Sequence, residues 1–188
     1  MKIYFSSSLR AKKFYQKNFE KISSLIEKLG HQHTSNFIIK ANPDDFYNRK
    51  NQNFDSFYSN LLSQIKKADV CVFEVSAHSL GIGYCVNLAL DLGKPVIALH
   101  FKDKEPAFFK GIKNDRFQLH EYTLGNLEEV LKDSLDYVKG LLDIRFTFFV
   151  TPKINNFLTW IAKQKKTPRA VYLRTLLEKE IVRKGYKE

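Results

Sequence analysis

ADVCVFEVSAHSLGIGYCVNLALDLGKPVIALH, residues 68–100, is the stretch that decides the fold of this chain. Residues 70–75 form a short apolar run rich in β-branched side chains, which is typical of a strand buried on both faces of a parallel sheet. A turn of small residues follows at 76–83, and the apolar spacing of residues 84–93 predicts a helix with a glycine C-cap. Residues 96–100 form the next predicted buried strand. The stretch therefore predicts a βαβ unit, and in open parallel sheets ligands bind at the carboxyl ends of such strands.

The other residues up to 143 continue this alternation of strands and helices. Strands are predicted at residues 2–6, within 35–39 and at 117–121, and helices at 9–29, 54–66 and 127–142. Residues 40–53 are polar and contain an Asn-Pro-Asp-Asp turn signal, which predicts a mobile loop over the ligand edge of the sheet. The alternation predicts a doubly wound α/β domain with about five parallel strands.

The composition of the 188 residues is that of a folded protein, with 44% hydrophobic and 14% aromatic residues. No apolar run approaches the roughly 20 residues that span a bilayer, and the N-terminal MKIYF leads into a strand, so we expect neither a signal peptide nor a membrane partner. The two cysteines, Cys71 and Cys85, fall in a predicted strand and a predicted helix. This placement argues against a disulfide and favours a cytoplasmic location. No motif indicates a cofactor or a metal ion.

The positive charge of the chain is concentrated towards its C-terminus. Residues 144–188 hold 11 Lys and Arg against 3 Asp and Glu, whereas residues 1–143 hold 20 against 17. We therefore predict an α/β domain at 1–143 and a small basic domain at 144–188. A compact basic domain favours a polyanionic partner, although charge runs also occur on surfaces that only aid solubility.

The basic domain has the pattern strand, helix, helix. Side chains alternate in IRFTFFV, residues 144–150, which is the period of a strand. Thr-Pro pairs at 151–152 and 167–168 predict the starts of two helices. One strand and two short helices are too small to fold alone, so this domain must pair with something else.

This pattern resembles the ribbon-helix-helix family. The resemblance implies an intertwined dimer whose paired strands enter the major groove of double-stranded DNA, with Arg145, Thr147 and Phe149 facing the bases. The start of the second helix, with Thr167 and Arg169, would clamp a phosphate. Phe149 departs from the mostly polar residues of such positions, and it would contact a thymine methyl group or dock on the α/β domain. Pure oligomerisation is the alternative to DNA binding.

The turn SLGIG, residues 79–83, has several interpretations from its residues alone. GIGYCV supplies only the first two glycines of a dinucleotide fingerprint, and no acidic residue follows at the required distance, so we reject dinucleotide binding. Backbone N–H groups and the Ser79 hydroxyl at the start of a helix would bind an anion. Alternatively, the glycines only allow a tight turn.

Several separated motifs in the α/β domain carry a family resemblance. They are YFSSSLR at 4–10, KKAD at 66–69, EVSAHSLGIGYCV at 74–86, LGKPVIAL at 92–99 and DRFQLHEY at 115–122. In order and spacing they resemble the nucleoside 2-deoxyribosyltransferase family, in particular its 2′-deoxynucleoside 5′-monophosphate N-glycosidases. The resemblance implies a flavodoxin-like homodimer that binds a nucleoside or its 5′-monophosphate, with two turns that hold the phosphate. The residues at those turns are Ser7, Ser8, Leu9, Arg10, Ser79, Leu80 and Gly81.

Two positions depart from the family pattern where the family has its catalytic carboxylates. The family has a nucleophilic Glu after its G-x-G-Tyr turn, and this chain has Cys85; a second acid falls on Leu61. Glycosidic cleavage needs one group to stabilise an oxocarbenium-like centre and usually another to handle protons, so we expect most of the rate to be lost. Cys85 would act as a substitute nucleophile or as a buried apolar residue that fills the site. A serine that the family contributes to the partner's phosphate site falls on Phe109.

These observations lead to three functional hypotheses. The first is a homodimeric or tetrameric DNA-binding transcriptional regulator whose α/β domain is a catalytically degraded nucleotide sensor. The second is an active nucleoside 2-deoxyribosyltransferase or deoxynucleoside monophosphate N-glycosidase that uses residues 144–188 only to oligomerise. The third is a pseudoenzyme that binds another protein. The loss of both acids together with the basic C-terminal domain favours the first hypothesis.

Overall fold

A computed structural model describes residues 1–48, 53–141, 148–165 and 167–186 of the chain. The chain divides into two compact units, Met1–Asp143 and Ile144–Glu188. Among the helices of the described residues, none combines the length and the apolar character that crossing a membrane requires.

The first unit is built on a sheet of five parallel strands. They are β1 (Lys2–Ser7), β2 (Gln32–Ser35), β3 (Val70–Glu74), β4 (Val96–Phe101) and β5 (Phe117–Tyr122). Their order across the sheet is β2-β1-β3-β4-β5, and every neighbouring pair is parallel. This is the flavodoxin-like order, which confirms the predicted fold class. In such sheets ligands bind beyond the carboxyl ends of β1 and β3, where the strand order reverses.

Helices cover both faces of this sheet. They are α1 (Lys12–Lys28) and α7 (Leu127–Leu141) on one face, and α4 (Phe54–Lys67) and α5 (Leu80–Asp91) on the other. Val70 and Val72 of β3 join the first core cluster, whereas Cys71 and Phe73 join the second. All five residues of β3 are buried, which explains why this strand has a continuous apolar run instead of an alternating pattern.

The second strand lies earlier in the chain than the sequence predicts. β2 begins at Gln32, whose amide donates to the Met1 carbonyl oxygen, and Gln32 pairs with Lys2 of β1. The prediction of a strand within 35–39 is therefore wrong except at its first residue. A short helix, α2 (Phe37–Lys40), occupies the remainder.

The predicted loop at 40–53 contains a further helix, α3 (Pro43–Asn48). The Asn42 side chain accepts a hydrogen bond of 2.8 Å from the Asp44 amide and so starts this helix. Phe46 packs its ring on Phe37 and Phe57, at centroid distances of 5.5 and 5.1 Å. The loop prediction is therefore wrong for residues 43–48, and residues 49–52 lie outside the described part of the chain.

The described residues of the second unit form two helices, α8 (Pro152–Lys165) and α9 (Arg169–Lys184). Thr151 caps α8, because its Oγ1 accepts a bond of 3.4 Å from the Ile154 amide. Thr167 does not cap α9 as predicted; its hydroxyl donates instead to the Lys165 carbonyl oxygen. Residues 148–150 of the predicted strand have no regular secondary structure, and residues 144–147 lie outside the described residues.

Most apolar side chains described in the second unit are exposed. Leu158 and Ile161 are buried. The exposed ones include Phe149, Ile154, Phe157, Trp160, Val171, Leu176, Leu177, Ile181 and Val182. The apolar surface that the described residues of this unit bury is small for independent stability.

Candidate functional site

The candidate site lies at the carboxyl ends of β1 and β3. Ser7, the last residue of β1, pairs with Glu74, the last residue of β3. The turns that follow these strands therefore start side by side. These turns, residues 8–11 after β1 and 75–79 after β3, are called the β1 turn and the β3 turn. Together with Ser7 and the first residues of α5 they contain the seven predicted phosphate-binding residues, so the fold brings both predicted segments to one edge of the sheet.

The β1 turn is mostly buried. Ser7, Ser8 and Leu9 are each less than a tenth exposed, whereas Arg10 is exposed. The Arg10 guanidinium carbon lies 4.6 Å from the centre of the Tyr47 ring in α3. Arg10 is therefore the residue of this turn that offers a charge to an anion.

The Ser7 hydroxyl is already engaged inside the protein. Its Oγ lies 2.8 Å from the Glu74 carbonyl oxygen and 3.2 Å from the Glu74 Oε2, so its one hydrogen is shared between these two acceptors. A hydroxyl has one hydrogen, so in this arrangement Ser7 cannot donate from its side chain to a phosphate as well. Its contribution to ligand binding is then made through its backbone or its remaining lone pair.

The β3 turn is shorter than the sequence predicts. α5 begins at Leu80 instead of residue 84, because the Ser79 Oγ caps it by accepting from the Ile82 amide at 3.4 Å. Gly81 and Gly83 thus lie inside the helix without a positive φ, which argues against the tight-turn interpretation. A Cβ atom at Gly83 would meet nothing within 4 Å. Neither the backbone conformation nor the packing of the described residues requires a glycine at position 83. The open space beside Gly83 would allow another group to approach its backbone.

Glu74 also lies in the candidate site, although it is not among the site residues predicted from the sequence. Its side chain is 1% exposed and accepts hydrogen bonds from the hydroxyls of Ser7, Ser76 and Tyr122. Burial raises the pKa of the Glu74 carboxyl above its usual range. The sequence does contain a signal for this role: Glu74 is the single carboxyl group in an otherwise apolar buried strand, and a buried carboxyl group requires hydrogen-bond partners.

The two positions at which the resemblance predicts catalytic acids lie in or against one apolar cluster. Cys85 is 5% exposed in this cluster, and Leu61 is half-buried against it. Burial raises the pKa of the Cys85 thiol to about 11, so it is protonated at neutral pH. A protonated, buried thiol is a poor nucleophile, which favours the interpretation of Cys85 as an apolar residue filling the site.

Alkylation of Cys85 is expected to be slow and strongly dependent on pH. Because the thiolate is the reactive form, the rate with iodoacetamide in the folded protein should rise about tenfold per pH unit between about pH 8 and 10. Peptide mapping by mass spectrometry measures this rate separately for Cys85 and Cys71. The urea-unfolded protein is the reference, and equal rates in both states at pH 8 would contradict the burial of the thiol.

An apolar cavity of about 710 Å³ adjoins the β3 turn. Its lining includes His78 and Ser79 of the turn and Leu80 at the start of α5. Phe108 and Phe109 of the short helix α6 (Ala107–Lys110) also line it. His78 is exposed, and Phe109, which the resemblance predicts at the position of a serine, supplies only an aromatic ring to this cavity. Within the described residues no cluster of His, Cys, Asp and Glu is suited to hold a metal ion.

The predicted DNA-binding residues of the second unit are described only in part. Arg145 and Thr147 lie outside the described residues, whereas Phe149 is fully exposed. Arg169, the first residue of α9, is exposed, and its guanidinium donates to the Asn155 Oδ1 at 3.0 Å. Because two of the five predicted residues lie outside the described part of the chain, the DNA-binding surface stays a prediction.

Known proteins similar to this chain are nucleotide N-hydrolases. No protein-family model matches the chain. A Thermofilum pendens protein named for 2′-deoxynucleoside 5′-phosphate N-hydrolase activity is 28% identical over 149 residues, which are 77% of this chain and 100% of that protein. The 5-hydroxymethyl-dUMP N-hydrolase of Rattus norvegicus is 28% identical over 69% of this chain and 81% of its own length. These similarities support the resemblance to N-glycosidases of 2′-deoxynucleoside 5′-monophosphates that the sequence motifs of the first unit indicate.

A solved structure supports the fold. The CMP N-glycosidase of Clostridium botulinum superposes with a TM-score of 0.50 over 73% of this chain and 99% of its own, at 16% identity. At this identity the likeness bears on the fold alone. The ribbon-helix-helix resemblance of the second unit stays a prediction.

Proposed function

We propose that the unit Met1–Asp143 binds a nucleoside 5′-monophosphate at the carboxyl ends of β1 and β3. The observation that carries this proposal is the similarity to 2′-deoxynucleoside 5′-phosphate N-hydrolases, which extends over the full length of one relative. The two turns predicted to hold the phosphate also start from neighbouring strands. Arg10 would pair with the phosphate, and the backbone at the start of α5 would add N–H donors.

Replacing Arg10 with alanine is expected to weaken binding of a 5′-monophosphate at least about tenfold, because a charge-assisted hydrogen bond is lost. The affinity for the matching nucleoside, which has no phosphate, should stay the same. Isothermal titration with dCMP and deoxycytidine, and with dTMP and thymidine, measures both affinities.

Lys13→Ala is the matched control for Arg10→Ala, because it removes one exposed cation three residues along the chain. We expect this variant to bind dCMP and dTMP like the wild-type protein. Equal weakening by both substitutions would indicate general charge attraction instead of a phosphate contact at Arg10. Absence of binding to the wild-type protein would contradict the proposed function.

Hydrolysis of the N-glycosidic bond is the second candidate function of this unit. The names of the relatives favour it, and they favour an enzyme over a sensor. The residues at positions 85 and 61 oppose it, because neither a protonated thiol nor a leucine replaces a carboxylate. Chromatography of free base released from dCMP, dTMP or CMP tests it. Release that Cys85→Ala abolishes would establish Cys85 as a nucleophile and make the chain an active enzyme.

For the unit Ile144–Glu188 we propose homodimerisation and binding of double-stranded DNA. The exposed apolar side chains of α8 and α9 favour burial in an interface. A second copy of the chain presents the same apolar surface and could form this interface with it. The excess of eight positive charges in this part of the sequence favours a polyanion. Together with the first unit, this makes the chain a nucleotide-responsive DNA-binding regulator. If this unit only oligomerises, the chain is a nucleotide-binding or nucleotide-hydrolysing oligomer.

A further inference from the structure

A hydrogen-bond network centred on Glu74 connects the carboxyl ends of the strands. The Ser7 hydroxyl at the end of β1 shares its hydrogen between the Glu74 carbonyl oxygen and Oε2, and the hydroxyls of Ser76 and Tyr122 donate to Oε1. Tyr122 is the last residue of β5, and its hydroxyl oxygen accepts a hydrogen bond of 2.9 Å from the side-chain amide (Nδ2) of Asn18 in α1. One buried carboxyl group thus joins β1, β5 and the turn after β3.

Ser76 extends this network to β4. Its Oγ accepts from the amide of Phe101, the last residue of β4, at 2.7 Å. The same hydroxyl donates to Glu74, so its donor and one of its acceptor sites are used within the sheet edge. The β3 turn is therefore fixed by Glu74 on one side and by β4 on the other.

We propose that Glu74 is a positioning residue for nucleotide binding: its carboxyl group holds the Ser76 hydroxyl and, together with the Glu74 carbonyl oxygen, the Ser7 hydroxyl, and thereby keeps the β1 and β3 turns in the arrangement that receives the nucleotide. The inference rests on the proposed nucleotide binding. Glu74 itself is 1% exposed, so its proposed role does not require contact with the nucleotide. It acts through Ser7, whose neighbours Ser8 to Arg10 form the predicted phosphate turn, and through Ser76, which precedes Ser79.

Glu74→Leu is the substitution that tests this role, because leucine fills the space and accepts no hydrogen bond. Affinity for dCMP and dTMP is expected to fall at least about tenfold. Glu74→Gln keeps an oxygen acceptor and is neutral, which suits a site where burial already raises the pKa of the carboxyl. This conservative variant is expected to restore affinity to within about threefold of wild type.

Val138→Ala is the control for general destabilisation. Val138 is fully buried in α7, and its truncation leaves a cavity in the core away from the two turns. Its melting temperature should fall while its nucleotide affinity stays at the wild-type value. Equal loss of affinity in Val138→Ala and Glu74→Leu, or no loss in Glu74→Leu, would overturn the inference.

Hydrogen exchange of the unliganded protein tests the inference without a nucleotide. In Glu74→Leu the amides of residues 8–11 and 76–79 are expected to exchange at least about tenfold faster, with those of α7 unchanged. Unchanged exchange in both turns would overturn the inference even if nucleotide binds. If the wild-type protein binds no nucleotide, the proposed function fails, and the exchange result alone decides whether Glu74 holds the turns.

Discussion

The double substitution Cys85→Glu with Leu61→Asp is expected to raise the rate of base release from a 2′-deoxynucleoside 5′-monophosphate at least about 100-fold over the wild-type protein. Cys85 belongs to the apolar cluster beside the β3 turn and Leu61 packs against it, so the two new carboxyl groups would lie in or against one cluster. One would stabilise the oxocarbenium-like centre and the other would handle protons, and groups of this kind contribute about 10² to 10⁴ in rate. Quantitative chromatography of free base from dCMP and dTMP measures the effect.

The matched control for this gain is Cys85→Gln with Leu61→Asn, which has the same shapes without charge or acid chemistry. A buried carboxylate lowers stability, so both double variants need a thermal melt before the rates are compared. Equal rates in the two variants would show that the missing acids do not limit this site. Rapid release by the wild-type protein would contradict the interpretation of the first unit as catalytically degraded.

The central part of the fold could be predicted because its signals are local. β3 is buried on both faces and therefore has a continuous apolar run, and Gly93 after α5 adopts a positive φ that favours glycine at a helix end. β2 and α2 could not be placed in this way. Contacts distant in sequence fix them: Gln32 pairs beside Met1 and Lys2, and the Lys12 ammonium donates to the Ile39 and Ala41 carbonyl oxygens.

The candidate site could be predicted in position but not in its internal chemistry. Motif spacing places Ser7 to Arg10 and Ser79 to Gly81 on neighbouring turns, because parallel strands end at the same edge. The engagement of the Ser7 hydroxyl was invisible, since its partner Glu74 is 67 residues away. The environment of Cys85 was likewise open from the sequence. The residue type allows a reactive thiolate or an inert thiol, and only the surrounding cluster decides between them.

Removing Arg145 and Arg169 together is expected to weaken duplex DNA binding more than tenfold and to flatten its salt dependence. If the second unit binds DNA through these residues, each lost phosphate contact lowers the slope of log affinity against log salt by about 0.9. Fluorescence anisotropy of a labelled duplex, titrated with the full chain between about 50 and 200 mM salt, measures both quantities. Arg169 is exposed at the first position of α9, where a phosphate would also meet the positive end of the helix.

Lys179→Ala with Lys184→Ala is the matched control, because it removes the same charge from exposed positions further along α9. This pair is expected to change affinity less than threefold, since these lysines lie about three to four turns from the proposed phosphate clamp. Equal loss in both double variants would show that DNA is attracted by diffuse charge without a defined contact. No binding by the wild-type chain even at low salt would remove DNA from the proposal. The exposed apolar faces of α8 and α9 would then serve oligomerisation alone, and a sedimentation measurement that finds a monomer would contradict that function as well.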